Sequence, residues 1–359
     1  MVDPNGGSAP SPARPAPRET PARSVRVTCL SPYPEDVVRG LFRGRYGVDV
    51  TFVPDPPCPD EVRRAVAEAD LVIGDRRHLH RLDRSVLETM GCCLIVQQPA
   101  VGFDAIDHAA AAELGIPVAN AAGYNADAVA DWTVMAVLSL LRRGSWGDRR
   151  MHDGAWPKRE MLGRELGALT VGVVGLGNVG RAVATRVLAF GSRVLFADTV
   201  SRSLVGATQV PLDEILAVSD VVCVHVPLDD GTRHLIGCAA LARMRPGGIL
   251  VNASRGPVVD EAALVESLQG GHLSGAGLDV YDGEPLAADS PLRGLDQVFL
   301  SPHVAGDTEQ AEARLLELVG TNLLRVLDGD EPLHIVNGVT HREDELARSA
   351  RGRRPNGEE

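Results

Sequence analysis

Residues 171–180 read VGVVGLGNVG, and eighteen residues past the last glycine stands Asp198. Val171, Val173 and Val174 are β-branched and uncharged, which suits a short strand buried on both faces of a parallel sheet. Gly175, Gly177 and Gly180 then fall at the spacing of a dinucleotide fingerprint. One glycine makes the tight turn, one lets a pyrophosphate approach the backbone, and one lets the helix pack close to the strand. The helix expected over Arg181–Phe190 offers free N–H groups and a positive dipole end to the phosphates. Gly191 stops that helix, Arg193–Ala197 reads as the second strand, and Asp198 sits at its tip. A carboxylate there accepts hydrogen bonds from ribose hydroxyls and repels a 2′-phosphate, so the cofactor expected is NAD and not NADP. A glycine triplet alone also fits a tight strand-helix turn that binds nothing. Strand, glycines, helix, second strand and acid in that order carry the binding reading.

Bulk properties set the outer bounds. A chain of 359 residues has room for two domains. Its formal charge of −12 argues against a nucleic-acid surface. No run of eighteen apolar residues is present, so no membrane span is expected. The first 23 residues hold six prolines and no apolar core, and read as a disordered arm. Cys29, Cys58, Cys92, Cys93, Cys223 and Cys238 are scattered without CxxC spacing, as reduced core thiols of a cytoplasmic protein would be.

Outward from the fingerprint, strands and helices alternate. Upstream, Val25–Leu30, Val48–Val53, Leu71–Gly74 and Leu94–Gln97 read as strands. Helices are expected around Asp36–Arg43, Asp60–Ala69 and Phe103–Leu114. That interval implies a parallel sheet with crossovers, hence an α/β unit before the fingerprint. Asn125–Arg143 has an N-terminal start signal, a long apolar run and basic residues in its last turn, as a buried helix between two domains would. Downstream, Val221–Val226, Ile249–Asn252, Gly275–Val280 and Val298–Ser301 bring the fingerprint sheet to six strands. A last helix over about Thr308–Leu327 is expected to return to the first domain. The charged, apolar-poor tail after Asn337 reads as disordered.

Hydride transfer needs a cation to bind and polarise the acceptor, a proton donor, and a group that tunes the donor. Three successive strand ends supply these types: Arg255 in ILVNASRG, Glu284 in GLDVYDGEP and His303 in VFLSPH. The planar fork of Arg255 can grip a carboxylate at two points. His303 titrates near neutrality and can protonate the carbonyl oxygen. Glu284, bonded to the other ring nitrogen, would fix the tautomer and favour the imidazolium. Singly, each reads as a solvated loop residue or a cap; together, at strand ends on one side of the sheet, they read as a site.

The motifs VGVVGLGNVGRAVATRVLAFGSRVLFAD, HVPLDDGTRHLIG, MRPGGILVNASRGPVVDEAAL, GLDVYDGEP and LSPHVAG closely resemble the D-isomer-specific 2-hydroxyacid dehydrogenases. That group contains D-3-phosphoglycerate, D-lactate, formate and phosphite dehydrogenases. The resemblance implies an α/β fold of two doubly wound parallel-sheet domains, a Rossmann NAD-binding domain inserted into a flavodoxin-like substrate domain. On that pattern residues 24–121 and 307–337 form the substrate domain and residues 122–306 the NAD-binding domain, flanked by an arm (1–23) and a tail (338–359). It implies that Arg255 binds substrate, Glu284 supports the histidine and His303 is the general acid and base. It also implies that Asn178 and Val179 meet the pyrophosphate beside Gly175, Gly177 and Gly180, that Thr232 and Ala253 line the cofactor cleft, and that Asp279 contacts the nicotinamide amide. A homodimer joined through the cofactor domains is expected, without a C-terminal regulatory module.

Departures fall where substrate is chosen. The family's glycine-rich carboxylate cradle here reads QQPAVGFD, with Ala100, Val101 and Gly102 at the turn. The stretch GDRRHLH places Arg76 and Arg77 on another loop that faces substrate in relatives, where an extra cation would suit a phosphate or phosphonate. Two solvated arginines are the alternative. His78 and His80 lack a third ligand, so no metal is expected. Trp132, Trp146 and Trp156 read as core or dimer contacts. The expected function is interconversion of a small D-2-hydroxy acid, or a phosphorylated or phosphonate analogue, with its 2-oxo form. Two readings stay open beside it: a phosphite- or formate-type dehydrogenase, and an NAD-sensing, corepressor-like binding protein.

Overall fold

Short Val-, Ile- and Leu-rich runs become strands and the stretches between them become helices, because each sheet can bury its faces only under crossovers. A computed structural model of the chain describes residues 24–54 and 58–341. The expected arm at 1–23 and the tail from residue 342 onward lie outside the described residues. In order, the first elements are β1 (Val25–Cys29), α1 (Glu35–Gly40), β2 (Val48–Phe52), α2 (Pro59–Ala67), β3 (Leu71–Ile73), α3 (Arg84–Leu87), β4 (Ile95–Gln97), α4 (His108–Glu113) and β5 (Val118–Ala119). They are followed by α5 (Ala126–Arg142), α6 (Gly144–His152), β6 (Thr170–Val174), α7 (Asn178–Ala189), β7 (Arg193–Ala197), β8 (Ala207–Gln209), α8 (Leu212–Val218) and β9 (Val221–Val224). The series ends with α9 (Cys238–Arg243), β10 (Gly248–Asn252), α10 (Glu261–Gln269), β11 (Leu273–Leu278), β12 (Val298–Leu300) and α11 (Glu309–Asp328).

The chain forms two units. Among the described residues, the first comprises 24–54, 58–97, 105–119 and 322–341, the second 98–104 and 120–321. The first holds a sheet in the order β2-β1-β3-β4-β5, all pairs parallel, which is the flavodoxin order. Its C-terminal segment is fastened by side-chain amides, of which Asn322 is buried and Asn337 half-buried. Asn322 donates to Gln97 Oε1 at 2.7 Å and accepts from Leu333 N at 2.7 Å, and Asn337 Oδ1 accepts from Val118 N at 3.2 Å.

The second unit holds a parallel sheet in the order β12-β11-β10-β9-β6-β7-β8. Counted from β6 this is the doubly wound dinucleotide-binding order with a seventh strand at one edge. Side chains alternate between its faces. Val171, Val173, Val221, Cys223, Ile249 and Val251 pack with α5 and α7, while Val174, Val222, Val224 and Leu250 pack with residues of α8, α9 and α10. Trp132 is buried on the first face, 5.8 Å from the Phe299 ring.

Several expectations need correction. The fingerprint sheet has seven strands rather than six, because β8 is three residues long and lacks an apolar pattern. The helix after the glycines starts at Asn178, three residues early, and α4 occupies only the second half of the stretch expected to be helical. Residues 98–104, 120–121 and 307–321, expected in the first domain, group with the second unit, so that α11 is divided between the two at residue 322. All six cysteines are free, but Cys58 and Cys238 are exposed rather than core.

Candidate active site

In a parallel sheet every strand presents its carboxyl end to the same edge, and ligands of open α/β sheets bind there. In the second unit that edge carries the glycine turn after β6, Asp198 after β7, Thr232 in the loop after β9, Ala253 and Arg255 after β10, Asp279 after β11 and His303 after β12.

Arg255 is positioned by a turn that Asn252 closes. The Asn252 side chain is buried; its Nδ2 donates to Arg255 O at 2.9 Å and its Oδ1 accepts from Ser254 N at 3.0 Å. The guanidinium is aimed by two further bonds, Nε to Asp104 Oδ2 at 3.3 Å and Nη1 to Ser254 O at 2.7 Å. Its third nitrogen occupies the space a side chain at Gly102 would take, since a Cβ there would lie 1.7 Å from Nη2. Among the described residues, the backbone N–H groups of Val101 and Gly102 donate to no protein acceptor. Nη2 thus lies beside Gly102, and a guanidinium nitrogen with unengaged backbone N–H groups next to it is the donor type an anion requires.

His303 has φ +56°, in the left-handed region, and its backbone N–H donates to Asp279 O at 2.8 Å. The Asp279 carboxylate accepts from Val304 N at 2.9 Å, from Ala305 N at 2.8 Å and from the Ser301 hydroxyl. These bonds hold the loop in its strained turn, and burial nevertheless pushes the Asp279 carboxyl up. The ring Nδ1 of His303 lies 2.7 Å from Glu284 Oε2, and Tyr281 N donates to Glu284 Oε1 at 3.1 Å. This bond to Glu284 raises the His303 pKa against the opposing effects of burial and of Arg255. Burial pushes the Glu284 carboxyl up, but His303, Tyr281 N and Arg255 outweigh it and hold it below its ordinary value. Arg255 thus lies within the electrostatic field of both partners. With Nδ1 committed to Glu284, Nε2 is the nitrogen left to exchange a proton with a ligand.

The dinucleotide segment fits its expected guest. Gly175 has φ +91°, and a Cβ on it would stand 2.5 Å from His225 O; a Cβ on Gly180 would stand 1.9 Å from Gly175 O. Around Gly177 the space is open, and α7 begins at Asn178 with no side chain capping its free N–H groups. A pyrophosphate can come against that end with Asn178 and Val179 beside it. Thr232 Oγ1 donates to Pro227 O at 2.7 Å and accepts from Asp229 N at 2.8 Å, closing the loop after β9. His225, at the end of β9, has both ring nitrogens buried without a protein partner among the described residues, and burial lowers its pKa to about 4.

Arg76 and Arg77 lie in the first unit, in the turn after β3. Arg77 N donates to Asp75 Oδ1 at 3.0 Å, and the same buried carboxylate takes His80 Nδ1 at 2.8 Å. Asp104 and Ser301 escaped the sequence reading because each acts on a residue far along the chain, 151 positions to Arg255 and 22 to Asp279, whereas Asn252 and Tyr281 act locally through turns that carry no motif of their own. Trp146 lies under Arg143 at 4.1 Å and donates to Asp296, whereas Trp156 is 76% exposed.

Comparison with known proteins gives consistent results. A family profile described as "D-isomer specific 2-hydroxyacid dehydrogenase, NAD binding domain" matches residues 134–305. The chain is 40% identical over 290 residues to the glyoxylate reductase of Korarchaeum cryptofilum, covering 79% of this chain and 87% of that one. It is 35% identical over 317 residues to the D-3-phosphoglycerate dehydrogenase of Archaeoglobus fulgidus, covering 87% of this chain and 59% of that one. Among solved structures, D-lactate dehydrogenase from Aquifex aeolicus, complexed with NAD and lactic acid, superposes with a TM-score of 0.76 at 30% identity, covering 87% of this chain and 99% of that one.

Proposed function

The chain belongs to the D-isomer-specific 2-hydroxyacid dehydrogenase family, NAD-dependent oxidoreductases, and on that premise we propose that it interconverts a small D-2-hydroxy acid and its 2-oxo form with His303 as general acid and base. The observation that carries this reading is the 2.7 Å contact between His303 Nδ1 and Glu284 Oε2 in a site shared with Arg255. NADH, when bound, supplies the hydride. In the reduction direction Arg255 Nη2 and the Val101 and Gly102 N–H groups hold the substrate carboxylate, and Arg255 draws charge onto the carbonyl oxygen. His303 delivers the proton from Nε2 to that oxygen, and Glu284 stabilises the imidazolium until it does. Gly175, Gly177, Asn178, Val179, Gly180, Asp198, Thr232, Ala253 and Asp279 line the cofactor's side, and Arg76 and Arg77 accept a phosphate or phosphonate where the substrate carries one.

Glyoxylate heads the substrate candidates because relatives bear that name. A homodimer in the cytoplasm accompanies the reading, supported by the exposed Met151, Trp156 and Leu162 in and beyond α6. Among the described residues no helix is long and apolar enough to cross a membrane. The test is NADH oxidation with a panel of glyoxylate, hydroxypyruvate, phosphohydroxypyruvate and phosphonate aldehydes, with phosphite and formate oxidation in parallel. Turnover of a 2-oxo acid that falls about 100-fold or more in His303→Ala supports the assignment. Turnover of phosphite or formate alone, or tight NADH binding with no turnover, would replace it.

A further inference from the structure

Asp198 is the group expected at the adenosine ribose, yet protein donors already engage its carboxylate. Oδ2 accepts from Leu176 N at 2.9 Å and from Arg202 Nε at 2.8 Å, and Oδ1 accepts from Val200 N at 3.1 Å. Burial pushes this carboxyl up, but these bonds prevail and keep it ionised below its usual range. The Asp198 side chain is 9% exposed and that of Arg202 39%. Among the described residues, the two terminal nitrogens of Arg202 have no protein partner. Gln209 fixes the segment: it accepts from Arg202 N at 3.0 Å and donates to Val200 O at 2.9 Å. A second cation borders it, since Arg181 Nη1 donates to Ser203 O at 3.1 Å.

A lone carboxylate at this place excludes NADP by repelling its 2′-phosphate, and an arginine nearby accommodates that phosphate. This chain has both in one ion pair. The geometry points to Arg202 as a specificity-determining residue that receives the 2′-phosphate of NADPH, so that the protein binds NADPH alongside NADH. The inference rests on the dinucleotide reading of the glycine turn. Arg202 cancels the charge of Asp198 and presents a planar fork beside it, while Gln209 removes much of the ordering cost. Arg181 adds a second positive charge against the phosphate.

The test is direct binding to the full chain without substrate, by nicotinamide fluorescence. Wild-type Kd for NADPH is expected within about 30-fold of that for NADH, with the NADPH value the more salt-sensitive. Arg202→Ala raises the NADPH-to-NADH ratio about tenfold or more, and Arg202→Lys raises it less, because a point charge replaces a fork. Unchanged melting temperatures show that both variants fold. A wild-type ratio above about 30, or a ratio that Arg202→Ala leaves unmoved, overturns the inference. Failure of both dinucleotides to bind overturns the cofactor site itself, which is a separate result.

Discussion

The Nδ1 atom of His303 lies 2.7 Å from Oε2 of Glu284, and the other oxygen of that carboxylate is pinned by Tyr281 N. The bond to Glu284 lifts the His303 pKa, so the ring stays charged above its ordinary titration range. Reduction needs the imidazolium, and its kcat/KM is expected to be flat at low pH and to fall as pH rises through the raised pKa. Oxidation needs the neutral ring and rises through the same point. In Glu284→Gln the carboxylate is gone while burial and Arg255 still push the ring down, so both limbs move to lower pH. At pH 8, reduction drops about 10- to 100-fold. Rate profiles in both directions check this, and limbs that do not move would remove Glu284 from the tuning of His303.

Arg255 and Gly102 share one small space, in which a methyl group on residue 102 would stand 1.7 Å from Nη2. Gly102→Ala displaces the guanidinium by the order of an ångström, and a misplacement of that size costs about 100-fold in rate. The loss is expected in kcat/KM for substrate, with NADH affinity unchanged. Asp104→Asn keeps an acceptor for Nε but removes the charge, so its effect is a smaller rise in KM. Steady-state kinetics with a separate NADH titration distinguish the two, and an active Gly102→Ala enzyme with wild-type KM would show that Arg255 Nη2 does not hold substrate.

Asn322, itself buried, bonds to the buried Gln97 Oε1 and to both backbone polar groups of Leu333, at the edge of the buried region. Asn322→Ala removes its hydrogen bonds to Gln97 and to both backbone groups of Leu333, at a cost of about 2–4 kcal/mol. Urea unfolding should show that loss, together with faster amide exchange over residues 333–337. A change below about 0.5 kcal/mol, the ordinary range of surface substitutions, would mean that water replaces the amide.

Local signals made much of this molecule legible. Runs such as VGVVG and VVCVHV fix strands by composition, and the fingerprint glycines, taken with the strand, helix and acid around them, mark a dinucleotide turn. Glu284 and His303 could be paired because successive strand ends meet at one edge of a parallel sheet. What stayed hidden has little local signature. β5 is two residues and β8 three, too short for any period to show. Asp104 reaches Arg255 from 151 positions away, and nothing around FDAID announces that reach. Arg202 looks like any loop arginine until the chain folds it onto Asp198.

Asp279 is engaged by the loop that carries His303. The family resemblance assigns it to the nicotinamide amide, whereas its oxygens here accept from Ser301, Val304 and Ala305 and its carbonyl holds His303 N. Asp279→Asn retains one acceptor oxygen but turns an NH2 group toward a backbone donor, so at least one of these bonds is lost. The His303 loop, strained at φ +56°, then relaxes away from Glu284. The expected result is a fall in kcat of about 100-fold with NADH Kd within threefold of wild type, and a flattened pH profile as the histidine loses its partner. Ser301→Ala, which removes one bond without reversing another, should give a weaker version of the same pattern. If instead Asp279→Asn raises the NADH Kd tenfold or more while kcat holds, the carboxylate acts on the cofactor and the loop is held by its backbone bonds alone.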